Sequence, residues 1–472
     1  MVLSHYQENI LNHYQTTRDN IVVNACPGSG KTFTLDQLWQ ATDSKAAYLV
    51  FNKANAVEAE KKFNPKDNSF IGTLNSFGAR SLYAARHGLK LNKNKVWYIV
   101  KDKYPFRGDK KGQYKQEDLH KLIMLAKANV VNSISDMQYV RDTNDIYGYP
   151  DICQHALEVY NISLEDRKSI DFADQLLLPV VFDLPKPSFK DALIDEAQDL
   201  SPVQAMLVDG IAERYVFVGD RRQAIYGFRG AASNSLDDLQ QKFEAVALPL
   251  KLTYRCAKLI VGEAQKTYAD DIEALPEAID GVVRDVIKDK RMEENYRQNN
   301  NTLVVCRNNA PLVTMAYSLL RNKIPVQMIG RDFGSNLIGF IKRLDAASLS
   351  DLESKLDMWR YEQEAIATAQ DHGDKLQSIS DKYDTVLAFI AMCETGSIQE
   401  LYDAIDSLFS ADYGVKLSTI HRAKGLEAER VYILEPNLIP GSYAKSALQL
   451  EQENNLRYVA VTRAKSELVY LL

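Results

Sequence analysis

Cysteine is scarce in this chain, and the few cysteines are widely spaced. The 472 residues include five cysteines, at positions 26, 153, 256, 306 and 393, with no C-x-x-C pair among them. Zinc ribbons and iron–sulfur clusters need closely spaced thiolates, so this pattern argues against both kinds of site. An odd number of scattered cysteines is also typical of proteins that work in a reducing compartment.

Long apolar runs and an excess of positive charge are missing too. No run of about 18 apolar residues occurs, so no membrane-spanning helix and no membrane partner is expected. The first residues, MVLSHYQENILNHYQ, lack the layout of a signal peptide, which predicts a cytoplasmic protein. The formal net charge of −6 indicates that the chain as a whole does not bind nucleic acid by charge alone. One basic stretch, 93–115, interleaves aromatic residues, and fits either a nucleic-acid contact or a solvated face over a small core.

Apolar runs that alternate with helical patterns predict an α/β fold with parallel sheets covered on both faces. The runs that predict strands are 21–23, 46–51, 191–196, 215–220, 301–308, 324–330, 415–421 and 430–436. Polar and mostly helical patterns interrupt this series at 85–185 and 335–410. The sequence therefore predicts two α/β units, each carrying a mainly helical insertion.

The stretch ACPGSGKT, residues 25–32, has the spacing of a phosphate-binding loop, with Ala25 in place of its first glycine. An apolar run precedes the loop and a helical pattern follows it, which is the context that such a loop requires. Lys31 would reach the β- and γ-phosphates of a nucleotide, and the Thr32 hydroxyl would bind Mg²⁺. The loop residues predicted to bind nucleotide are Gly28, Ser29, Gly30, Lys31 and Thr32.

Two acidic residues follow a later apolar run and complete a predicted site for ATP hydrolysis. Asp195 is predicted to bind Mg²⁺, and Glu196 to act as the general base on the attacking water. Cations that stabilise the developing phosphate charge are expected as well, and Arg255 and Arg463 are the candidates because each follows a mostly apolar run.

With these pieces in order, the chain resembles the superfamily 1A helicases of the UvrD/PcrA/Rep type over nearly its whole length. The segments that carry the resemblance, in chain order, are LSHYQ (3–7), ACPGSGKT (25–32), FNKANA (51–56), GTLNSFGARSL (72–82), IDFADQLLLP (170–179), LIDEAQDLSPVQ (193–204), VGDRRQAIYGFRGA (218–231), LTYRC (252–256), STIHRAKGLEAERVYIL (418–434) and LRYVAVTRAKSELVYL (456–471). LNHYQ (11–15) is a second match to the first of these segments. The segments FNKA and DEAQD resemble those of the F-box DNA helicases and of phage or bacterial relatives more closely than those of PcrA.

The resemblance implies a domain organisation. It places RecA-like domain 1A at 1–84 and 186–248, insertion 1B at 85–185, RecA-like domain 2A at 249–334 and 411–472, and a reduced insertion 2B at 335–410. ATP and single-stranded DNA would bind across the cleft between 1A and 2A. The chain would work as a monomer, in a bacterial or phage-infected host cell.

The resemblance also implies roles for individual residues. Gln7 would read adenine, Tyr254 would stack on it, and Gln223 would sense the γ-phosphate. Arg255 and Arg463 would be arginine fingers, and Glu427 would hold the ribose. The implied nucleotide-binding residues beyond the phosphate loop are Gln7, Tyr254, Gly425 and Glu427. The implied DNA-binding residues are Phe51, Asn52, Thr73, Tyr226, Phe228, Arg229, Thr419 and His421.

The function expected from this resemblance is an ATP- and Mg²⁺-dependent 3′→5′ motor that moves along single-stranded DNA and unwinds duplex at junctions. Roles in DNA repair, replication or recombination are all consistent with it. Three alternatives remain open. One is a translocase that strips proteins or recombinase filaments with weak unwinding, and a second is an ATP-gated DNA-binding or loading factor. The third is a phosphate-loop ATPase that acts on something other than DNA, and the complete set of motifs argues against it.

Overall fold

The computed structural model describes residues 3–42, 45–51, 53–105, 110–144, 146, 149–225, 235–287, 301–369 and 373–472. They form two compact units. One comprises Met1–Ala25 and Gly30–Lys251, and the other comprises Cys26–Ser29 and Leu252–Leu472. The α/β fold with two parallel-sheet domains that the sequence predicts is confirmed.

The first unit is built on a six-stranded sheet in the order β3-β2-β6-β7-β1-β8. Its strands are β1 (Ile21–Ala25), β2 (Ala46–Val50), β3 (Phe70–Thr73), β6 (Phe189–Asp195), β7 (Ala212–Gly219) and β8 (Val246–Leu250), with a small parallel pair β4 (Lys90–Leu91) and β5 (Ser169–Ile170) outside the main sheet. Every neighbouring pair in the main sheet is parallel. All six strands therefore end at one edge of the sheet, and ligands of open α/β folds typically bind beyond the carboxyl ends of the strands.

The helices of the first unit cover both faces of this sheet or form the insertion beside it. They are α1 (His5–Thr16), α2 (Lys31–Ala41), α3 (Lys53–Lys62), α4 (Leu74–Ala85), α5 (Lys95–Lys103), α6 (Lys110–Asn129), α7 (Ile134–Thr143), α8 (Ile152–Glu165), α9 (Asp174–Val181), α10 (Pro202–Leu207) and α11 (Ser235–Lys242). Successive strand residues face opposite sides, so Ile21 and Val23 belong to the core with α1 and α2, while Val22 belongs to the core on the other face, where α11 contacts β1. This double burial explains why the strands appear as continuous apolar runs.

The second unit contains a six-stranded parallel sheet in the order β11-β16-β15-β12-β14-β13. Its strands are β9 (Leu252–Thr253), β10 (Glu273–Ala274), β11 (Val282–Val286), β12 (Thr302–Cys306), β13 (Val326–Met328), β14 (Val415–Thr419), β15 (Ala428–Leu434) and β16 (Ala464–Leu471), of which β9 and β10 form a separate pair. Its helices are α12 (Lys258–Gln265), α13 (Ala310–Arg321), α14 (Arg331–Leu344), α15 (Leu349–Ala369), α16 (Gly373–Ile390), α17 (Ile398–Ser410) and α18 (Ala447–Val461).

The helices between β13 and β14 are attached to the rest of the second unit by a partly buried polar contact. Asp381 of α16 accepts hydrogen bonds from the backbone N–H groups of Asn309 (2.8 Å) and Ala310 (3.0 Å) and from the Asn309 side-chain amide (2.8 Å). These N–H groups belong to the start of α13, which has no side-chain cap of its own. Asp381 therefore caps α13 from the insertion, and its carboxylate satisfies donors that the helix leaves unpaired.

Within the parts of the chain that the structure describes, no helix combines the length and apolarity needed to cross a bilayer.

Candidate active site

The phosphate-loop sequence forms a tight turn between β1 and α2. Gly28 and Gly30 both have positive φ angles, of +73° and +81°, which side chains disfavour. A Cβ atom on Gly28 would lie 2.4 Å from the Arg255 Cβ, so only glycine fits there. The Ser29 hydroxyl is buried and has no hydrogen-bond partner among the described residues. An orphaned buried hydroxyl in such a loop fits a phosphate oxygen as its missing partner.

The predicted acids follow β6 at the carboxyl edge of the first sheet. Asp195 is the last residue of the strand, and Glu196 takes a left-handed conformation with φ +53°. That conformation is rare for a residue with a long side chain and is concentrated at functional sites. The turn brings the Glu196 Oε2 to 3.1 Å from the Lys31 Nζ. The structure thus brings Lys31, Asp195 and Glu196 together, although 165 positions separate Lys31 from Glu196.

Electrostatics at this edge favour a divalent cation. Burial and the neighbouring Glu196 raise the pKa of Asp195 to about 6. Burial also raises the pKa of Asp220 to about 6. Burial alone would lower the pKa of Lys31, but Glu196, Asp195 and Asp220 raise it to about 12. One lysine therefore faces three carboxylates, a formal charge of −2 that Mg²⁺ would neutralise, and Thr32 in the first turn of α2 supplies the hydroxyl next to Lys31.

Two glutamines connect the acids to the segment after β7. Gln223 donates from Nε2 to the Asp220 Oδ2 at 2.8 Å and is buried. Gln198 donates to the Glu196 Oε2 at 2.6 Å and accepts from the Asp220 backbone N–H at 3.0 Å. No sequence pattern indicated a role for Gln198 beyond its place in the DEAQD segment. Its amide joins the predicted general base to the start of the 220–223 turn.

Helix α1 places Gln7 against the phosphate loop. The Gln7 amide donates to the Thr34 hydroxyl at 3.2 Å and accepts from the Ser4 N–H at 2.9 Å, as part of a capping box. Its Nε2 is 3.1 Å from where a Cβ on Gly30 would stand. Gln15, in the second matching segment, is exposed on the last turn of the same helix.

In the second unit, the predicted nucleotide residues lie at the amino edge of the sheet. Glu427 directly precedes β15 and forms ion pairs with Arg255 (2.7 Å) and Lys465 (2.7 Å). Partial burial would raise the pKa of Glu427, but Lys465 and Arg255 hold it below its usual value. Arg463 directly precedes β16, is buried, and donates to the backbone oxygens of Val459 (3.0 Å) and Leu426 (3.1 Å).

Tyr254 and Gly425 flank this amino-edge group. The Tyr254 backbone N–H donates to the Gly28 carbonyl at 2.8 Å, within the unit that includes Cys26–Ser29, and its side chain is 45% exposed. An aromatic ring that stays open to solvent on a fixed backbone suits stacking on a base. Gly425 has a φ of +85°, a left-handed turn that leads into the Glu427 segment.

Thr419 and His421 lie at the opposite, carboxyl edge of the same sheet. Thr419 ends β14 and is buried, and His421 follows it. Burial and the nearby Arg307 lower the pKa of His421 to about 3, so its imidazole is neutral at physiological pH. Arg307, after β12, binds the Glu453 carboxylate through Nε (3.1 Å) and Nη2 (2.9 Å). No pattern in the sequence singled out this pair of a half-buried arginine and a buried carboxylate.

The predicted DNA-binding residues of the first unit are only partly described. Phe51 follows β2 and Thr73 ends β3, so both stand at the carboxyl edge that also carries Lys31 and Asp195. The Thr73 hydroxyl accepts from the Ser76 N–H at 3.1 Å and caps α4. The remaining four predicted residues, Asn52, Tyr226, Phe228 and Arg229, lie outside the described residues.

A buried ionic group holds the helical insertion of the first unit together. Lys127 binds Asp171 and Asp174, each at 2.7 Å, and Lys95 binds Asp174 at 2.8 Å. All four side chains are nearly or fully buried. Lys95 belongs to the basic, aromatic stretch 93–115, so this lysine is part of the interior and not of a nucleic-acid surface. Phe172, which lies between Asp171 and Asp174 in the sequence, is 48% exposed.

Profiles of known protein families match both ends of the chain. The profile described as UvrD/REP helicase N-terminal domain matches residues 3–244, and the profile described as UvrD-like helicase C-terminal domain matches residues 348–471.

Individual relatives agree with these matches. The F-box DNA helicase protein 1 of Schizosaccharomyces pombe is 24% identical over 507 residues, covering 95% of this chain and 55% of that protein. The ATP-dependent DNA helicase PcrA of Staphylococcus aureus is 23% identical over 205 residues, covering 36% of this chain and 28% of that protein. A probable DNA helicase II homologue of Rickettsia felis is 23% identical over 594 residues, covering 96% of this chain and 90% of that protein. The chain thus spans about half the length of the first of these relatives.

Proposed function

Because this chain belongs to the UvrD/Rep helicase family, we propose that it is an ATP-driven motor that moves 3′→5′ along single-stranded DNA and unwinds duplex at junctions. The observation that carries the proposal is the convergence of Lys31, Asp195 and Glu196 at one sheet edge beside a phosphate loop with an orphaned buried serine. Lysine, two acids and a hydroxyl are the groups that phosphate-loop NTPases use.

Hydrolysis in this proposal follows from the positions of the side chains. The Lys31 ammonium binds the β- and γ-phosphates of ATP, and Thr32 and Asp195 hold Mg²⁺, which supplies charge neutralisation on the phosphate oxygens. Glu196 accepts the proton of the attacking water. Its carboxylate is already oriented by Lys31 at 3.1 Å and Gln198 at 2.6 Å, so the base needs little reorganisation.

The remaining nucleotide residues recognise the base and sense the phosphate. Gln7 pairs with adenine, Tyr254 stacks on it, and Glu427 holds the ribose. Gln223 senses the γ-phosphate because it adjoins Asp220, which faces Lys31. Arg255 and Arg463 supply the cations that stabilise developing phosphate charge, a role worth about 10³–10⁵ in rate where arginine fingers have been measured. The Arg255 pair with Glu427 keeps its guanidinium oriented.

Single-stranded DNA is the proposed track. Bases stack on aromatic side chains with little sequence preference, each worth about 1–3 kcal/mol. Phe51, Thr73, Thr419 and His421 are the described residues assigned to this track, together with Asn52, Tyr226, Phe228 and Arg229. A neutral His421 stacks or donates a hydrogen bond without adding charge.

The first experiment measures ATP hydrolysis with and without single-stranded DNA. Wild-type protein should show DNA-stimulated turnover that Lys31→Ala abolishes. Lys62→Ala, which removes an exposed lysine on α3, should leave it unchanged. Turnover in Lys31→Ala equal to that of wild type would refute the site assignment, and turnover that RNA but not DNA stimulates would refute the track.

A second experiment tests polarity and unwinding with duplexes that carry a 3′ or a 5′ single-stranded tail. Strand separation on the 3′-tailed duplex alone supports the proposal. DNA-stimulated ATPase with removal of a bound protein but no strand separation favours the stripping translocase. Stimulation with neither outcome favours an ATP-gated loading factor.

A further inference from the structure

Tyr48 of β2 is a buried tyrosine whose hydroxyl reaches the candidate active site. It is 1% exposed, and its hydroxyl donates to the Asp195 Oδ2 at 3.0 Å. Its ring packs edge-on against Phe63 at a centroid distance of 4.5 Å and against Trp39 at 6.4 Å. These ring contacts hold the Tyr48 ring in place, so its hydroxyl has a fixed position next to Asp195.

The two oxygens of Asp195 are thus held by two different donors. Oδ2 accepts from Tyr48, and Oδ1 accepts from the Glu196 backbone N–H at 2.8 Å. A carboxylate turns about its last side-chain bond unless something fixes it, and two donors on two oxygens fix its plane. Each oxygen keeps a further lone pair for another partner.

The chemistry of the donor matters as much as its position. The Tyr48 side chain is a phenol, which is a neutral hydrogen-bond donor at physiological pH. A neutral donor orients the acid without cancelling its charge, whereas a second lysine would remove the negative charge that a divalent cation requires.

We propose that Tyr48 is a positioning residue that holds the Asp195 carboxylate in the orientation needed to bind Mg²⁺. This inference rests on the proposed function, in which Asp195 is the metal ligand. Groups that orient a ligand typically change metal affinity or activity by about 10–100-fold when they are removed. Tyr48→Phe deletes only the oxygen and keeps the ring against Phe63, so the fold should be retained.

The test is the Mg²⁺ dependence of nucleotide binding, measured with a fluorescent non-hydrolysable ATP analogue at a series of Mg²⁺ concentrations. Tyr48→Phe should bind the analogue as wild type does without Mg²⁺, and should need about tenfold more Mg²⁺ for half-maximal tightening. The matched control is Tyr160→Phe in α8, because the buried Tyr160 hydroxyl has no hydrogen-bond partner in the described part of the chain. It should match wild type.

Three results would overturn the proposal. A wild-type Mg²⁺ dependence in Tyr48→Phe removes the positioning role. An equal loss of affinity with and without Mg²⁺, together with a lower melting temperature, indicates a purely structural tyrosine. Asp195→Asn serves as the third arm, because an unchanged Mg²⁺ dependence there would show that Asp195 is not the ligand. That last result refutes part of the proposed function itself, and so separates its failure from a failure confined to Tyr48.

Discussion

Removing Lys127 should destabilise the first unit far more than removing any surface lysine. Its ammonium lies 2.7 Å from the Asp171 Oδ2 and 2.7 Å from the Asp174 Oδ1, and its side chain is fully buried. Lys127→Met keeps a similar apolar stem and deletes only the charge. Asp174 would keep Lys95 at 2.8 Å, but Asp171 would lose its cation and stay buried.

The geometry sets the size of the effect. At an effective dielectric constant of about 20, each 2.7 Å contact is worth about 6 kcal/mol of attraction. Desolvation of the lysine opposes that attraction by several kcal/mol, so the sum of the two contacts overstates the net value. Breaking a buried pair by removing one partner typically costs about 3–5 kcal/mol, because the remaining charge is uncompensated. We expect Lys127→Met to lower the free energy of unfolding of the first unit by that amount.

The assay is hydrogen exchange of the backbone amides of α5, α6 and α9 at a series of urea concentrations. Exchange in these helices reports the unfolding of the insertion separately from that of the second unit. Lys121→Met on the same helix removes an exposed lysine and should change stability by less than about 0.5 kcal/mol. Adding Asp171→Asn to Lys127→Met should restore part of the loss, because the orphaned carboxylate becomes neutral. A loss below about 1 kcal/mol in Lys127→Met, or no recovery in the double variant, would refute the reasoning.

Two further predictions concern other buried carboxylates. The pKa of Asp220 is raised from 3.8 to about 6, so the folded state binds more protons than the unfolded state between these values. This group should cost nucleotide-free protein on the order of 2 kcal/mol of stability as pH rises from 4 to 7, in addition to a loss of the same sign from Asp195, whose pKa is also raised to about 6. Denaturation at several pH values tests this, and Asp220→Asn should remove its own share of the loss but leave the share of Asp195. Asp381→Ala should destabilise the second unit by about 2 kcal/mol, because three donors at the start of α13 lose their acceptor. Asp384→Ala, which changes an exposed residue of the same helix, should leave the stability unchanged. A similar loss of stability in both variants would contradict the capping role.

The sequence predicted the sheets well because parallel strands buried on both faces leave a strong local signal. The run at 46–51 corresponds to β2 (Ala46–Val50), and the acids at 195 and 196 directly follow β6 as expected. The phosphate loop could also be predicted from a local pattern, because its glycines and Lys31 are close together in the sequence. The chemistry predicted for Glu196 came from its place in an acidic pair after an apolar run, but no periodicity reveals its left-handed backbone.

Contacts between distant positions were beyond the reach of the sequence. Tyr48 appears there as one apolar residue of a buried strand, and only the pairing of β2 with β6 brings its hydroxyl to Asp195. Lys95 appears as part of a basic surface, and only the packing of α5 on α6 and α8, with the ion pair to Asp174, reveals it as an interior cation. A single sequence records residue types along the chain, whereas these roles depend on which side of a strand or helix faces which neighbour.

The two sheets distribute their predicted functions differently, and this constrains how a motor of this kind would work. In the first unit, Lys31, Asp195 and Thr73 all stand at one carboxyl edge, so ATP and DNA would act on neighbouring strand ends. In the second unit, Glu427 lies at the amino edge and Thr419 at the carboxyl edge, separated by the length of the sheet's strands. A signal from nucleotide to DNA in that unit would therefore have to cross the length of the sheet's strands. The Asp381 cap attaches the helical insertion to α13, which packs on that sheet.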